Sequence, residues 1–172
     1  AGCPVLIDGA QGMVHEGVDV QDVDCDFYAF SGHKLYAATG TGVLYGKRKW
    51  LDQMVPYQGG GEMISTVRFS GTTYAPLPEK FEAGTQNINA IPTLEPAIEM
   101  LKLMKDKELL NAQEAVSQYL LHALTSNPRI RLYGVPRGTE TKIPLFSFSV
   151  EGAHHEDLAL ILDKMGIAVR SG

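Results

Sequence analysis

The sequence predicts an α/β fold: a mainly parallel sheet with flanking helices, followed by part of a small α+β domain. Three observations predict it. First, the apolar run Val5-Leu6-Ile7 ends in an acid, Asp8, and about fifteen residues later a short aromatic run, Asp26 to Phe30, reads as a second strand. Strand, crossover and strand make one βαβ unit, and a crossover of that length suits a parallel pair. Second, Ile91 to Ser126 carries apolar residues at helical spacing. Third, after Asn127-Pro128 the text changes to alternating strands around a single helix.

Taken in order, Val5-Leu6-Ile7 is apolar throughout, which suits a central parallel strand covered on both faces. Gly9 to about Val18 starts with a short helix and continues as a loop, in which His15, beside Glu16, reads as a surface histidine. Val18 to Val23 alternates apolar and polar residues and leads into the strand around Tyr28. Gly32 breaks that strand. Gly40 and Gly42 mark a tight turn into a strand at Val43 to Tyr45, antiparallel to its neighbour because the reversal is short. These glycines open no helix, so they make no nucleotide-binding fingerprint. Lys47-Arg48-Lys49 reads as a solvated face, Trp50 to Met54 as a short helix, and Gly59-Gly60-Gly61 as a hinge or loop.

Pro92 and Pro96 fit the first turns of the long helical region. Leu94, Ala97, Ile98, Leu101 and Met104 form its core stripe, Asp106 to Glu108 a break, and Val116, Leu120, Leu121 and Leu124 the stripe beyond it. Ile130 to Tyr133 and Leu145 to Val150 read as half-buried strands joined by a loop over Gly134 to Lys142. A helix runs from Ala153 through Met165, with Gly166 as its cap and Ile167 to Val169 as a last strand. His154 and His155 are adjacent and so point to different faces of a helix start, which suits a cap region rather than a metal site. The expected division is 1–92 as the C-terminal part of a large domain, 93–126 as a linking helical region, and 127–172 as a partial small α+β domain.

The chemistry concentrates where the strands end. Ser31-Gly32-His33-Lys34 follows the aromatic strand, and ligands in open α/β sheets sit beyond strand ends. A lysine delivered there from an apolar base can lose part of its hydration, and a neutral amine is a nucleophile able to form a Schiff base. Taken alone, the stretch also reads as a surface lysine after a strand. Asp8 ends the neighbouring strand, with Gln11 one helical turn on. Adjacent parallel strands lie about 4.8 Å apart, so Asp8 and Lys34 can approach one small ligand. An aspartate facing a heteroaromatic nitrogen, and a lysine forming an imine, are a protein's parts in pyridoxal phosphate chemistry.

These residues carry a resemblance. Asp8-Gly9-Ala10-Gln11 followed by Ser31-Gly32-His33-Lys34 resembles the aminotransferase class V family, a group of pyridoxal phosphate enzymes of fold type I. The pattern is similar to its cysteine desulfurase branch at Asp24-Cys-Asp-Phe-Tyr28, Gly59-Gly-Gly-Glu-Met-Ile64, Phe81-Glu-Ala-Gly-Thr-Gln-Asn87 and Ile167-Ala-Val-Arg-Ser-Gly172. The resemblance implies pyridoxal 5'-phosphate as cofactor and L-cysteine as substrate, converted to L-alanine with persulfide transfer for iron–sulfur cluster assembly. Selenocysteine lyase, another class V enzyme, and an inactive dimerising scaffold are the alternatives.

The resemblance also implies the roles. Lys34 joins the cofactor aldehyde and later moves the α proton. Asp8 pairs with the ring nitrogen, and Gln11 with the phenolic oxygen. Ser31 and His33 hold the phosphate, joined by Thr85 from a second subunit of a homodimer, while Arg170 flanks the loop that would carry the nucleophile. Without the resemblance, the Thr85 segment reads as a surface loop. Where the family often has Gly-Pro, this chain has Ala37-Ala38. Members are more than twice as long, so the chain is expected to be a fragment, short of the nucleophilic cysteine and of an N-terminal part. A sulfur-acceptor protein is the implied partner.

Composition excludes other classes. The net charge of −5 over 172 residues leaves no basic excess for nucleic acid. No apolar run approaches the roughly 20 residues needed to span a bilayer as a helix. The only cysteines are Cys3 and Cys25, too few for a disulfide framework or metal cluster, which suits a reducing, cytoplasmic setting, or an organelle reached through a transit peptide. Cys25 lies between Asp24 and Asp26, a poor setting for a nucleophilic thiolate, and both cysteines are placed on the core strands near Asp8 and Phe27.

Overall fold

The computed structural model describes residues 2–15, 17–108, 111–134 and 143–172. Two compact units divide the chain, 1–104 and 105–172. The division falls inside the stretch 93–126 that the sequence presents as a link.

The first unit is built on a three-stranded sheet in the order β1 (Leu6–Asp8), β2 (Phe27–Ser31), β3 (Gly42–Gly46). β1 and β2 are parallel, with Leu6 opposite Phe27, Ile7 opposite Tyr28 and Asp8 opposite Ala29. The expected βαβ unit is therefore present. β3 runs antiparallel to β2, with Ser31 opposite Gly42, as the short reversal requires.

The apolar run of β1 suits a central strand covered on both faces; among the described residues it pairs with β2 on one side, and Val5 and Leu6 are 54% and 59% exposed in this chain. An apolar run fixes what a strand can bury, but not which neighbours flank it.

The crossover holds two short helices, α1 (Gly12–His15) and α2 (Val20–Val23). α2 occupies the alternating stretch. Its helical form follows from a cap: Asp19 Oδ1 accepts the Gln21 N–H at 2.8 Å, and the left-handed Asp24 (φ 50°) ends the turn. Cys3 is exposed ahead of β1 and Cys25 is buried ahead of β2, so neither lies on a strand.

α3 (Arg48–Leu51) begins two residues before the expected Trp50 start, because the chain turns into it directly from β3. Leu51 packs so closely on Gly46 that a Cβ there would lie 2.8 Å from Leu51 Cδ2. The basic run is not simply a solvated face. Lys47 makes ion pairs to Asp24 (2.6 Å) and Asp26 (3.6 Å), and only Lys49 of the two lysines is largely exposed.

A hairpin that sequence reading missed follows, β4 (Ile64–Arg68) with β5 (Gly71–Tyr74), tied across by a 2.5 Å Thr66–Thr73 hydroxyl bond. Its signal was the density of β-branched and aromatic residues, Ile64, Thr66, Val67, Thr72, Thr73 and Tyr74. α4 (Leu94–Asp106) buries Ala97 and half-buries Leu94, Ile98, Leu101 and Met104, the expected stripe, and ends where the break was read.

The second unit holds α5 (Asn111–Thr125), the antiparallel pair β6 (Ile130–Tyr133) and β7 (Ser147–Val150), and α6 (His155–Lys164). On α5 the inward stripe runs through Gln113, Ser117, Leu121 and Leu124. Val116 (64% exposed) and Leu120 (40%) are not core: they lie one residue off that stripe, and the small Ser117 takes the close approach.

Beyond Gly134, the expected loop to Lys142 lies outside the described residues. Gly166 caps α6 at φ 78°, with Gly166 N–H donating to Asp163 O and Ile167 N–H to Leu162 O, each at 2.9 Å. Ile167 to Val169 is not a strand. Its first N–H is taken by the helix cap, no ladder pairs it among the described residues, and Ile167 and Val169 are exposed.

Candidate functional site

Asp8 is the last residue of β1 and faces Ala29 across the parallel ladder. Side chains alternate along a strand, so Leu6 and Asp8 share one face with Phe27, Ala29 and Ser31. Asp8 and Ser31 therefore project from the same face, at the same end of the parallel pair. The chain turns sharply after Asp8. Gly9 N–H donates to Ala29 O (2.8 Å), Ala10 N–H to the Asp8 carboxylate (3.0 Å), and Met13 N–H to Gly9 O (3.0 Å), which opens α1. Asp8 is exposed, and so is Gln11 in the turn ahead of α1.

Beyond Ser31 the chain enters a 3₁₀ turn, Gly32–Leu35. Gly32 is buried and donates to Thr41 O at 2.9 Å. A Cβ on Gly32 would collide with Thr41 Oγ1 and lie 3.2 Å from Leu94 Cδ2, so this position requires glycine for close approach. Tyr36 closes the turn in the left-handed region (φ 67°), and Ala37 N–H returns to Gly32 O at 3.1 Å.

Gly32 and Leu35 are thus the inward residues, while His33 is exposed and Lys34 half-buried. Among the described residues no carboxylate pairs with the Lys34 ammonium within 4.0 Å. α1 packs against this turn, and Gln11 immediately precedes α1. The Ala37-Ala38 departure is anchored: Ala38 N–H donates to Thr93 Oγ1 at 2.9 Å.

The strongest electrostatics lie at the other end of the sheet. Asp26, just before β2, accepts the Trp50 indole N–H at 2.6 Å and the Val5 N–H at 3.0 Å. With Lys47 and Lys49 nearby, these bonds lower the Asp26 carboxyl to a pKa of about 2. The hydrogen bond to Asp24 raises the Lys47 ammonium above its ordinary 10.5, with the charges of Asp24 and Asp26 adding to it. Five strand steps separate Asp26 from Ser31, about 17 Å at the usual rise. This cluster therefore belongs to the sheet's framework and not to the Lys34 end.

Thr85 is exposed on a bend. Its segment is held by Gly84 N–H to Gly61 O (2.9 Å), and a Cβ on Gly60 would lie 3.2 Å from Gly84 N, so Gly60 is the point of the triglycine stretch that packs closely on this loop. Asn87 reaches the Gly40 turn, where a Cβ would meet its Nδ2 at 3.2 Å. No hydrogen bond joins Thr85 to Asp8, Gln11, Ser31, His33 or Lys34 among the described residues.

Arg170 belongs to the second unit. It lines a cavity of about 580 Å³ with Phe146, Phe148, His155, Leu162 and Ser171. Sequence reading missed this cavity, although the alternating Phe146 and Phe148, at the start of β7, carried its signal. The His154 and His155 rings do not point apart: they stack with centroids 4.3 Å apart, because His154 turns back to cap α6, its Nδ1 accepting the Glu156 N–H at 3.4 Å. The cap reading stands.

Comparison with known proteins adds to this geometry. The family described as aminotransferase class-V matches residues 1–172. The chain is similar to the cysteine desulfurase of Wigglesworthia glossinidia brevipalpis, 44% identical over 169 residues, which cover 98% of this chain and 40% of that protein. Its fold matches the crystal structure of the cysteine desulfurase CsdA (S-sulfonic acid) from Escherichia coli with a TM-score of 0.81 at 41% identity, over 99% of this chain and 42% of that one. A C-DES mutant with glycine covalently linked to its PLP cofactor matches with a TM-score of 0.70 at 26% identity, over 98% and 44%. The chain spans about two fifths of the length of these relatives. The likenesses bear out the α/β fold class and the class V resemblance.

Proposed function

Since the chain belongs to the aminotransferase class-V family, we propose that it supplies the lysine-bearing part of a pyridoxal 5'-phosphate-dependent cysteine desulfurase, acting on L-cysteine. One observation carries the reading. Asp8 and Ser31-Gly32-His33-Lys34 share one end of a parallel strand pair, in a chain 41% identical to a solved desulfurase with the same fold.

The residues present fit the cofactor. A carboxylate stands exposed at one strand end, and a half-buried lysine without a carboxylate partner among the described residues follows the next. Between them, hydroxyl and imidazole donors occupy Ser31 and His33, and glycine at position 32 lets the turn pack tightly.

Each residue then has a task. Lys34 Nζ would hold the cofactor through its aldehyde, with loss of water, and would move the proton at the substrate α carbon. Asp8 keeps a proton, and hence positive charge, on the ring nitrogen by a charge-assisted pair. Gln11 donates to the phenolic oxygen. Ser31 and His33 hold the phosphate, joined by Thr85 of a second copy in a homodimer. Arg170, which lines the cavity of the second unit, flanks the loop that would carry the nucleophile. When bound, pyridoxal phosphate supplies the electron sink for the carbanion formed at that carbon.

In this reading residues 1–92 are the C-terminal part of a large cofactor-binding domain, 93–126 link, and 127–172 form part of a small α+β domain. An acceptor protein takes the sulfur for iron–sulfur assembly. Both thiols are free, which suits a cytoplasmic setting.

Borohydride reduction in the presence of pyridoxal phosphate tests the reading. The cofactor mass is expected on the peptide holding Lys34, and none in Lys34→Ala. Labelling at another lysine overturns it.

A further inference from the structure

We infer that Tyr28 is the positioning residue of the Asp8 turn, its ring packed behind Gly9 so that the carboxylate is held toward the opposite face. The inference rests on the proposed pairing of Asp8 with the cofactor.

Tyr28 is 4% exposed and stands opposite Ile7 in the parallel ladder, so its ring lies on the face away from Asp8. Gly9 is the next residue on that rear face. A Cβ on Gly9 would fall among Tyr28 Cζ, Oη and Cε1, so the backbone of residue 9 lies directly against the ring. A Cβ on Gly12 would sit 3.6 Å from Tyr28 Oη, so the ring reaches from the turn to the first residue of α1. Phe30, two residues along the same face, tilts against it with centroids 6.4 Å apart.

At the front, the turn is held by two bonds, Gly9 N–H to Ala29 O and Ala10 N–H to the Asp8 carboxylate. Asp8 itself is exposed and cannot be fixed by burial. Its placement therefore depends on the backbone of residues 9 and 10, and that backbone has an aromatic plate behind it. Tyr28 touches no reacting atom in this scheme; it acts through Asp8.

Three variants test this in the holoenzyme. Small displacements of a catalytic group cost large factors in rate, so Tyr28→Leu should lower alanine formation from cysteine about tenfold. Tyr28→Phe keeps the ring but loses the hydroxyl that lies against Gly9 and Gly12, so its loss should fall between those of the wild type and Tyr28→Leu. In an Asp8→Asn background, Tyr28→Leu should cost less than about twofold more, because the group it positions is already gone. Equal factors in the two backgrounds would overturn the inference, as would a Tyr28→Phe loss equal to that of Tyr28→Leu.

Amide exchange in the cofactor-free protein gives a second readout. Gly9 and Ala10 should exchange about tenfold faster in Tyr28→Leu, with Lys47, at the far end of the sheet, unchanged. Unchanged exchange at Gly9 and Ala10 refutes the backing role. Should Tyr28→Leu fail to fold, Gly9→Ala presses on the same contact from the other side and carries the same expectations. An Asp8→Asn variant with full turnover would overturn the proposed role of Asp8, while the exchange arm still decides whether Tyr28 holds the turn.

Discussion

Leu35 follows Lys34 in the 3₁₀ turn and is 1% exposed, so it anchors the segment that carries the lysine. Replacing it with alanine removes three carbon groups from a fully buried place. At about 0.8 kcal/mol for each, the lost transfer energy is about 2.4 kcal/mol. The unfilled space adds to this, and buried leucine-to-alanine changes reach about 5 kcal/mol where the surroundings cannot collapse. Collapse is restricted here, because the turn is tied by Ala37 N–H to Gly32 O and by Gly32 N–H to Thr41 O.

The expected loss is therefore about 2.5–5 kcal/mol for Leu35→Ala and below about 1.5 kcal/mol for Leu35→Met, which nearly conserves volume. Urea unfolding followed by tryptophan fluorescence suits the measurement. Trp50 is the only tryptophan and lies in the same compact unit as Leu35. With a urea dependence of about 2 kcal/mol per molar, the midpoint should fall by more than about 1 M. A change below about 0.5 M, or equal losses for alanine and methionine, would refute the claim that Leu35 anchors the lysine turn.

Three further outcomes are expected. The Asp26 carboxyl lies at about 2 in the folded chain against an ordinary 3.8, so its contribution to stability is present above about 3.8 and lost as pH falls toward 2. Asp26→Asn should lower stability at neutral pH and flatten that acid-side decline in urea titrations read by circular dichroism; an unchanged slope contradicts the clamp. Gly32→Ala should cost about 1–3 kcal/mol in thermal unfolding, since its Cβ meets Thr41 Oγ1; a neutral effect refutes the close packing. Asp8→Asn in the holoenzyme should lower turnover far more than cofactor affinity, both measurable by titrating visible absorbance and alanine release; equal turnover removes the electronic role of Asp8.

Much of the fold was legible because local chemistry decided it. The lysine turn was readable from Gly32, the βαβ unit from two short apolar runs flanking a crossover, and the α6 end from Gly166. What escaped depended on neighbours distant in sequence. Which strands flank β1 is set by pairing, not by Val5-Leu6-Ile7. The helical form of Val20–Val23 turned on one capping bond from Asp19, stronger than a weak alternation. Val116 and Leu120 obeyed the helical period, yet the buried stripe chose Ser117, where a small side chain allowed contact. The candidate site was legible as a set of residue types at strand ends, whereas the Gly9–Tyr28 contact joins two strands and leaves no local trace.

The two ends of β2 have different chemistry for a common reason. Side chains alternate with a period of two, so a one-residue slip of β1 against β2 would carry Asp8 to the Tyr28 face, away from Ser31. A ladder of three residues in β1 is too short to fix its own register firmly. At the start of the pair, Asp26 accepts the Val5 N–H through its carboxylate, while the Asp26 and Phe27 N–H groups both donate to Val5 O. Trp50 and Lys47 hold that carboxylate in turn. At the other end, Gly9 N–H binds Ala29 O, and only glycine can lie against the Tyr28 ring. Each device tolerates one register, and it is the same register. The charged clamp, about 17 Å from the Ser31 end, thereby helps to decide which face the Asp8 carboxylate presents, although it does not touch Asp8.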